Sequence, residues 1–389
     1  MKRITTLELG LALAGLFAAT CLGISSAGAA GEPYAIGAVV SESGTGSSLG
    51  RPEADSIQLA VDEINKAGGV AGHPLKVTII DDGSDPTTAV NAVRNLLGQK
   101  VIAILGPSLT QTTLAVLPIV TQAGIPLISL GSSAQIVEPV SDRKWIFKMP
   151  MTDIHIARMM QGYLKRRDQT KVAVIFRDDD YGKTGLTHFE DVAKEAGITV
   201  IDSEAIAATA TDATTQLTHI KAANPQAIVV WTTLPSAAVI AKGYRELGLQ
   251  YPLYYSDGAA TGVFLQQLGP ALNGVYIASL KINVADQLAS SDPQEHVIKQ
   301  YVDTFDRLYP KDAPVSIFGG FGYDSVYVLA GALQKSGTGE ADKLRDALEH
   351  VTYSGISGTF RLSATDHNGL AQDSAVLTKV DGGKFTISR

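Results

Sequence analysis

Ser84-Asp85-Pro86-Thr87-Thr88 and Thr211-Asp212-Ala213-Thr214-Thr215 are two versions of one phrase, and the segments downstream of each are repeated too. Both lead into an apolar run, 101–105 in the first copy and 227–231 in the second. Each run is followed by a Pro-Ser turn, Pro107-Ser108 and Pro235-Ser236. A helix-like stretch and a proline-led apolar run then close each copy, 126–130 ending at Gly131 and 252–256 reaching Gly258. The spacing barely drifts between Asp85 and Asp212, Pro107 and Pro235, and Gly131 and Gly258. The period is far longer than the roughly 20–50 residues of a solenoid unit. It describes two similar α/β lobes, and a cleft between two domains is where small molecules bind.

Outward from the repeat, strand-like and helix-like segments alternate almost throughout. Residues 34–40 and 75–80 are apolar, β-branched runs of strand length. Between them Ile57, Ala60, Val61 and Ile64 fall at helical spacing, with Gly68 placed to end the helix. Asp85 is positioned to cap a helix with Pro86 in its first turn and Ala89, Val93, Leu96 and Leu97 along one face. The second lobe offers strands at 171–176, 198–201, 227–231 and 253–256, and helices at about 183–196, 213–222 and 236–247. After Gly274 come a strand, 275–280, and helices near 293–309, 316–334 and 341–350. The tail segments 358–362 and 375–388 read as strands around the turn Asp366-His367-Asn368-Gly369. Such βαβα order predicts parallel sheets covered on both faces by helices, an α/β fold of two Rossmann-like lobes. The repeat spans only 84–258, so the later segments must complete both lobes and the chain must cross between them more than once. With no low-complexity linker, the crossings are expected to be short hinge strands. The expected division is 31–150 with 283–358 for one lobe and 151–282 with 359–389 for the other.

The first thirty residues read as an export signal. Lys2 and Arg3 give a positive start, 9–24 is apolar but shorter than the ~20 residues of a membrane span, and Ala27-Gly28-Ala29 fits the small-x-small cleavage rule. Cys21 is the only cysteine, and the preceding Ala18-Ala19-Thr20 does not favour a lipid anchor there. Cleavage near residue 30 leaves no thiol, hence no disulfide, cysteine metal site or thiol nucleophile. The net charge is −7, and the densest basic cluster, Lys165-Arg166-Arg167, sits at the end of a predicted helix, where cations suit the dipole. That balance argues against nucleic acid as a partner.

In open α/β sheets, ligands sit beyond the carboxyl ends of strands. The repeat nominates two such edges, 106–110 with 131–133 and 232–236 with 256–258. The first offers backbone N–H groups and the hydroxyls of Ser108, Thr110, Ser132 and Ser133, which suit a carboxylate. Each hydroxyl taken alone reads equally as a helix cap. The second edge carries Asp257, which either pairs with an ammonium group or caps the helix after it. Tyr181 lies in Arg177-Asp178-Asp179-Asp180-Tyr181-Gly182, just beyond the strand 171–176, where it can stack on a ligand. A calcium loop starting at Asp178 would need Gly and Glu where Lys183 and Phe189 stand. Gly44-Thr45-Gly46 has Leu49 where a dinucleotide fingerprint needs its third glycine. There is no His-x-x-x-His pair and no Gly-x-Ser-x-Gly elbow. No metal, cofactor or catalytic residue is therefore expected.

Several short stretches resemble one family when taken together. They are Leu59-Ala60-Val61-Asp62-Glu63-Ile64-Asn65 with Gly68-Gly69-Val70-x-Gly72, then Asp81-Asp82-x-x-Asp85-Pro86, Gly106-Pro107, Asp180-Tyr181-Gly182 and Tyr323-Asp324. Over essentially the whole mature chain the sequence is similar to the periplasmic solute-binding proteins of ABC importers for branched-chain and other hydrophobic amino acids, which have the type I periplasmic binding fold. The resemblance implies that the backbone near Ser108 and Leu109 and the hydroxyl of Thr110 hold a ligand carboxylate, a task shared by Gly131 and Ser133. It implies that Tyr181 packs on the ligand and that Asp257 pairs with its ammonium. Leu49 and Leu234, the latter preceded by Thr232-Thr233, stand near positions where leucine binders keep aromatics, so the pocket is expected to differ in shape. A subgroup capturing aromatic carboxylates looks similar in Trp145-Ile146-Phe147-Lys148 and in Asp366-His367-Asn368-Gly369. The implied role is capture of a hydrophobic or branched-chain amino acid by cleft closure, in the periplasm, by a monomer that docks on a membrane permease. The alternatives are an aromatic or keto carboxylic acid as cargo, or a ligand-sensing domain serving a separate receptor.

Overall fold

Buried β-branched and aliphatic runs supply the strands, and the amphipathic stretches between them supply the helices that cover the sheets. The computed structural model describes residues 31–309 and 314–388; the expected export segment, with Cys21, lies outside them. The first half runs β1 (Tyr34–Val40), α1 (Ser47–Lys66), β2 (Leu75–Asp81), α2 (Pro86–Gly98), β3 (Ala103–Leu105), α3 (Thr110–Ala123), β4 (Leu127–Ser129) and β5 (Ile146–Lys148). Next come α4 (Asp153–Arg166), β6 (Lys171–Arg177), α5 (Asp180–Glu195), β7 (Thr199–Ile206), α6 (Thr214–Ala223), β8 (Ala227–Trp231), α7 (Ser236–Glu246), β9 (Leu253–Tyr255), α8 (Gly262–Leu268) and β10 (Tyr276–Leu280). The last part contains α9 (Glu295–Leu308), α10 (Ile317–Ser336), α11 (Ala341–Leu348), β11 (Thr352–Ser354), β12 (Thr359–Arg361), β13 (Ala375–Asp381) and β14 (Lys384–Ile387).

One sheet has the order β2-β1-β3-β4-β5, all parallel. The other contains β7-β6-β8-β9-β10, the same order counted from its own first strand, also parallel. The repeated phrase therefore aligns β3 with β8 and β4 with β9. The second sheet is nevertheless mixed rather than parallel throughout, because β13 and β14 extend it antiparallel beyond β10. Their turn, Gly382-Gly383, has positive φ at both residues (55° and 77°), the backbone a two-residue hairpin demands and glycine supplies without strain. The expected turn at Asp366-His367-Asn368-Gly369 forms: the chain doubles back after β12 through antiparallel bridges Phe360–Leu370 and Ser363–Asp366, and the next strand, β13, joins the second sheet. β12 pairs with β11 in a separate ladder, and the expected lobe boundary at 358/359 falls in the connection between those two strands.

The late segments attach to both sheets. Helix α10 lies against α1, where a Cβ on Gly319 would come 3.1 Å from the Pro52 carbonyl oxygen and one on Gly322 would come 2.8 Å from that of Glu53. The predicted face of α1, Ile57, Ala60, Val61 and Ile64, is buried. Tyr301 of α9 shares a 2.8 Å hydrogen bond with Ser56. On the other lobe, the Tyr163 hydroxyl of α4 donates to the Ser388 carbonyl (2.7 Å).

The turn 366–369 also clamps the first crossing between lobes. Asp366 Oδ1 accepts from the N–H groups of Asn368 and Gly369 (3.0 and 2.8 Å). The Asn368 amide then donates to the carbonyls of Lys148 (3.1 Å) and Pro150 (2.9 Å). His367 stacks on Phe147 and bonds the Ile146 carbonyl at 2.8 Å. From inside the crossing, buried Lys148 donates to the carbonyls of Ser132, Pro150 and Met151. Among the described residues, no helix is long and apolar enough to cross a membrane.

Candidate functional site

Strand order reverses between β1 and β3 in one sheet and between β6 and β8 in the other, and crevices form at the carboxyl ends of such strand pairs. Here the two crevices face one small cavity of about 20 Å³, the room of roughly one water. Leu49, Ser108, Leu109, Thr110, Leu130 and Ser132 line it from one lobe, Arg177, Tyr181, Thr233, Asp257 and Gly258 from the other, with Pro150 of the crossing and Phe318 of α10. The lobes meet across it, for Ser132 Oγ donates to Asp257 Oδ2 at 3.1 Å. This is a closed arrangement.

The first edge is built around the start of α3. The first N–H groups of a helix have no partner within it, and Leu109, at the N-cap, supplies no side-chain acceptor. Thr110 Oγ1 is buried without a hydrogen-bond partner among the described residues, so Thr110 is not a cap. Ser108 is committed elsewhere: its hydroxyl donates to Glu53 and accepts from the Ser41 N–H (2.9 Å), while Ser41 Oγ donates to Asp82 (2.7 Å). Burial pushes the Glu53 carboxyl up to about 8, the Ser108 bond offsetting this only in part, so at neutral pH Glu53 is protonated. The Gly131 N–H donates to Ser129 Oγ (3.0 Å), and Ser133 caps the short turn Ala134–Ile136 by accepting from the Gln135 N–H (3.2 Å). Neither Gly131 nor Ser133 lines the cavity, and Leu234 lines a separate groove with Arg51 and Pro235.

At the second edge the Tyr181 hydroxyl donates to Asp257 Oδ1 at 2.8 Å and lies 3.0 Å from Ser256 Oγ. Asp257 caps no helix; both its oxygens are spent on Tyr181 and Ser132. It is buried, and desolvation raises its pKa against the lowering effect of those two bonds. Gly258 must be glycine for this packing, since a Cβ would come 2.6 Å from the Thr232 carbonyl oxygen and 3.0 Å from the Tyr181 hydroxyl.

Sequence reasoning passed over Arg177. It ends β6, only 1% exposed, donates from Nη1 to Thr233 Oγ1, holds Nε 2.5 Å from Asp179 Oδ2, and lies 5.8 Å from the Tyr181 ring centre. The carboxyl-edge rule that nominated Tyr181 applies equally to Arg177, whose place at the head of an acidic run disguises it. Leu130 adjoins the nominated Gly131, whereas Phe318 arrives from a distant helix with no local signal. Arg177 and Asp179 offset one another. Asp257 is left as a buried carboxylate with no salt bridge among the described residues. The nearby Lys148 spends its ammonium on carbonyls, and burial lowers its pKa to about 7.

A family model described as periplasmic binding protein matches residues 33–384. The chain is similar to the Leu/Ile/Val-binding protein BraC3 of Rhizobium johnstonii, 23% identical over 362 residues that cover 91% of this chain and 93% of that protein. Among solved structures it is similar to Rp1789 of Rhodopseudomonas palustris (strain CGA009), with TM-score 0.85, 26% identity, and coverage of 92% of this chain and 100% of that one. It is also similar to the branched-chain amino acid transporter substrate-binding protein LivJ from Streptococcus pneumoniae, solved in complex with isoleucine, with TM-score 0.79, 26% identity, and coverage of 91% and 97%. With the match running through both sheets and on through the late helices packed on the first, the chain belongs to the periplasmic binding protein family.

Proposed function

We propose that this chain is the substrate-binding component of an ABC importer and that it captures a hydrophobic or branched-chain amino acid by closing its cleft. The observation that carries the reading is Asp257, a buried carboxylate with no cation in contact, set across the cavity from the N-terminus of α3. An unpaired buried charge is costly, and a ligand ammonium removes that cost. A ligand carboxylate at the α3 N-terminus meets free N–H groups, the helix dipole and the Thr110 hydroxyl. Leu49, Leu109, Leu130 and Phe318 supply apolar wall for the side chain. The names of BraC3 and LivJ point to the same ligand class. In this reading the bodies that close are the one built on the β1–β5 sheet and the one built on the β6–β10 sheet, with the paired β11 and β12 moving together rather than parting at 358/359. The protein works as a monomer in the periplasm after losing its export segment, and hands its cargo to a membrane permease. Binding rather than catalysis fits the chemistry, since Glu53 keeps its own proton at neutral pH and offers Ser108 no base.

Arg177 favours a second cargo, an aromatic or keto carboxylic acid paired with the guanidinium. Asp179 already neutralises that cation, and such a ligand leaves Asp257 uncompensated, so the amino acid ranks first. A thermal-shift screen of the mature protein decides between them, a ligand at 100-fold its Kd adding about 2.7 kcal/mol of stability. Shifts with leucine, isoleucine or valine but not with their deaminated keto acids support the first reading. Shifts only with keto acids or benzoate replace it with the second.

A further inference from the structure

We infer that Arg177 makes the cleft select amino acids whose side chain carries a neutral oxygen acceptor, a hydroxyl or an amide, over their aliphatic isosteres. The inference rests on the amino-acid reading above. Polarity is divided unequally between the cavity walls. The lobe that offers the α3 N-terminus also contributes Leu49, Leu109, Leu130 and Phe318, whereas the opposite wall is Arg177, Tyr181, Thr233 and Asp257. With the ligand carboxylate on α3 and its ammonium on Asp257, the side chain is the part left to face both the apolar wall and the Arg177–Thr233 pair.

A guanidinium carries five N–H donors. Nη1 of Arg177 is bonded to Thr233, Nε lies against Asp179, and among the described residues no hydrogen bond uses Nη2. Thr233 cannot relieve it, since its own hydroxyl accepts from Arg177 and donates to the Leu234 carbonyl (3.2 Å). A side-chain oxygen brought to this corner takes up a guanidinium N–H that nothing among the described residues bonds, whereas a methyl group of the same shape leaves it bare. Sites built to hydrogen-bond a ligand group discriminate strongly against the analogue lacking it. The acceptor is neutral because the charges are already spoken for. Arg177 is paired with Asp179, Asp257 takes the ammonium, and a second ligand carboxylate would add an uncompensated buried negative charge.

The test is calorimetric titration of the full mature protein with two near-isosteric pairs, threonine against valine and asparagine against leucine, with aspartate as the charged control. The expected result is at least about tenfold tighter binding of threonine and asparagine than of their aliphatic partners, with aspartate weaker than asparagine. In Arg177→Met both ratios fall to about one or below, threonine and asparagine losing more affinity than valine and leucine. A purely structural arginine would weaken all five ligands alike and leave the ratios untouched, and that result overturns the inference. So do wild-type ratios at or below one, whether or not the variant folds, and in that case the amino-acid reading stands. If none of the five binds and deaminated acids do, the amino-acid reading falls and takes this inference with it.

Discussion

Two buried carboxyls, one in each lobe, have different partners and do different work. Asp257 is the candidate counter-charge. Asp257→Asn keeps the shape and an acceptor for the Tyr181 hydroxyl but removes the charge. Breaking a buried ion pair from one side costs about 3–5 kcal/mol, so amino-acid affinity measured by calorimetry should fall roughly 100-fold or more. Unchanged affinity would take Asp257 out of the site. Glu53, beneath the Pro107-Ser108 turn, is fully buried with a pKa pushed up to about 8 from 4.5. Between those values the folded protein binds a proton that the unfolded chain has released, so stability falls as pH rises through that window and levels off above it. Glu53→Gln removes the slope. Thermal midpoints of variant and parent should therefore diverge from pH 5 to pH 8, with the variant gaining on the parent by an amount on the order of a few kcal/mol. Parallel curves would mean that Glu53 ionises freely in the folded state. Neither role was fully legible from residue type. Asp257 was nominated by its place at a strand end, with the ammonium and capping readings tied, and only the Tyr181 and Ser132 contacts removed the second. Glu53 gave no sign at all, because a glutamate in an amphipathic helix normally faces water.

Elements were easier to read than their partners. Periodicity located α10 to within a couple of residues at each end, 316–334 expected against Ile317–Ser336 observed, and gave the buried face of α1. What it could not give is that these two helices, some 260 residues apart, lie backbone to backbone at Gly319 and Gly322. Glycine in a helix costs stability unless a close approach needs it, and here one does. Gly322→Ala puts a methyl 2.8 Å from the Glu53 carbonyl oxygen, a rigid backbone atom that has to yield. Overpacking of that kind costs about 1–3 kcal/mol, which urea unfolding of the variant should show as a lower midpoint at unchanged slope. A variant as stable as its parent would mean that the helices separate freely. The turn Asp366-His367-Asn368-Gly369 illustrates the same limit. Its Asp366 hydrogen bonds are local and its bend was legible. Its contacts with Lys148 and Pro150 are remote, so the sequence pattern shows the turn that reverses the chain but not the clamp that the same turn places on the crossing.

At the scale of the whole molecule, the contact that matters most is the one between lobes at the cavity, Ser132 to Asp257. A ligand touching both walls favours the closed form, and its apparent affinity is set by the fraction of molecules already competent to hold it. Ser132 therefore has two effects of opposite sign to weigh. As a latch it raises the closed fraction of the free protein; as an occupant of Asp257 Oδ2 it competes with the ligand ammonium. A carboxylate oxygen has two lone pairs and can serve both donors, which leaves the latch effect uncancelled. The Ser132 hydroxyl has one proton to share between Asp257 Oδ2 (3.1 Å) and the Met151 carbonyl (3.0 Å). A net contribution of about 0.5–1.5 kcal/mol follows, so Ser132→Ala should open the unliganded protein measurably and weaken ligand binding by roughly two- to tenfold. Small-angle scattering reads the first effect as a larger radius of gyration without ligand and an unchanged one at saturation; calorimetry reads the second. Tighter binding with an unchanged radius would give the competing role to Ser132 and leave closure to the ligand alone.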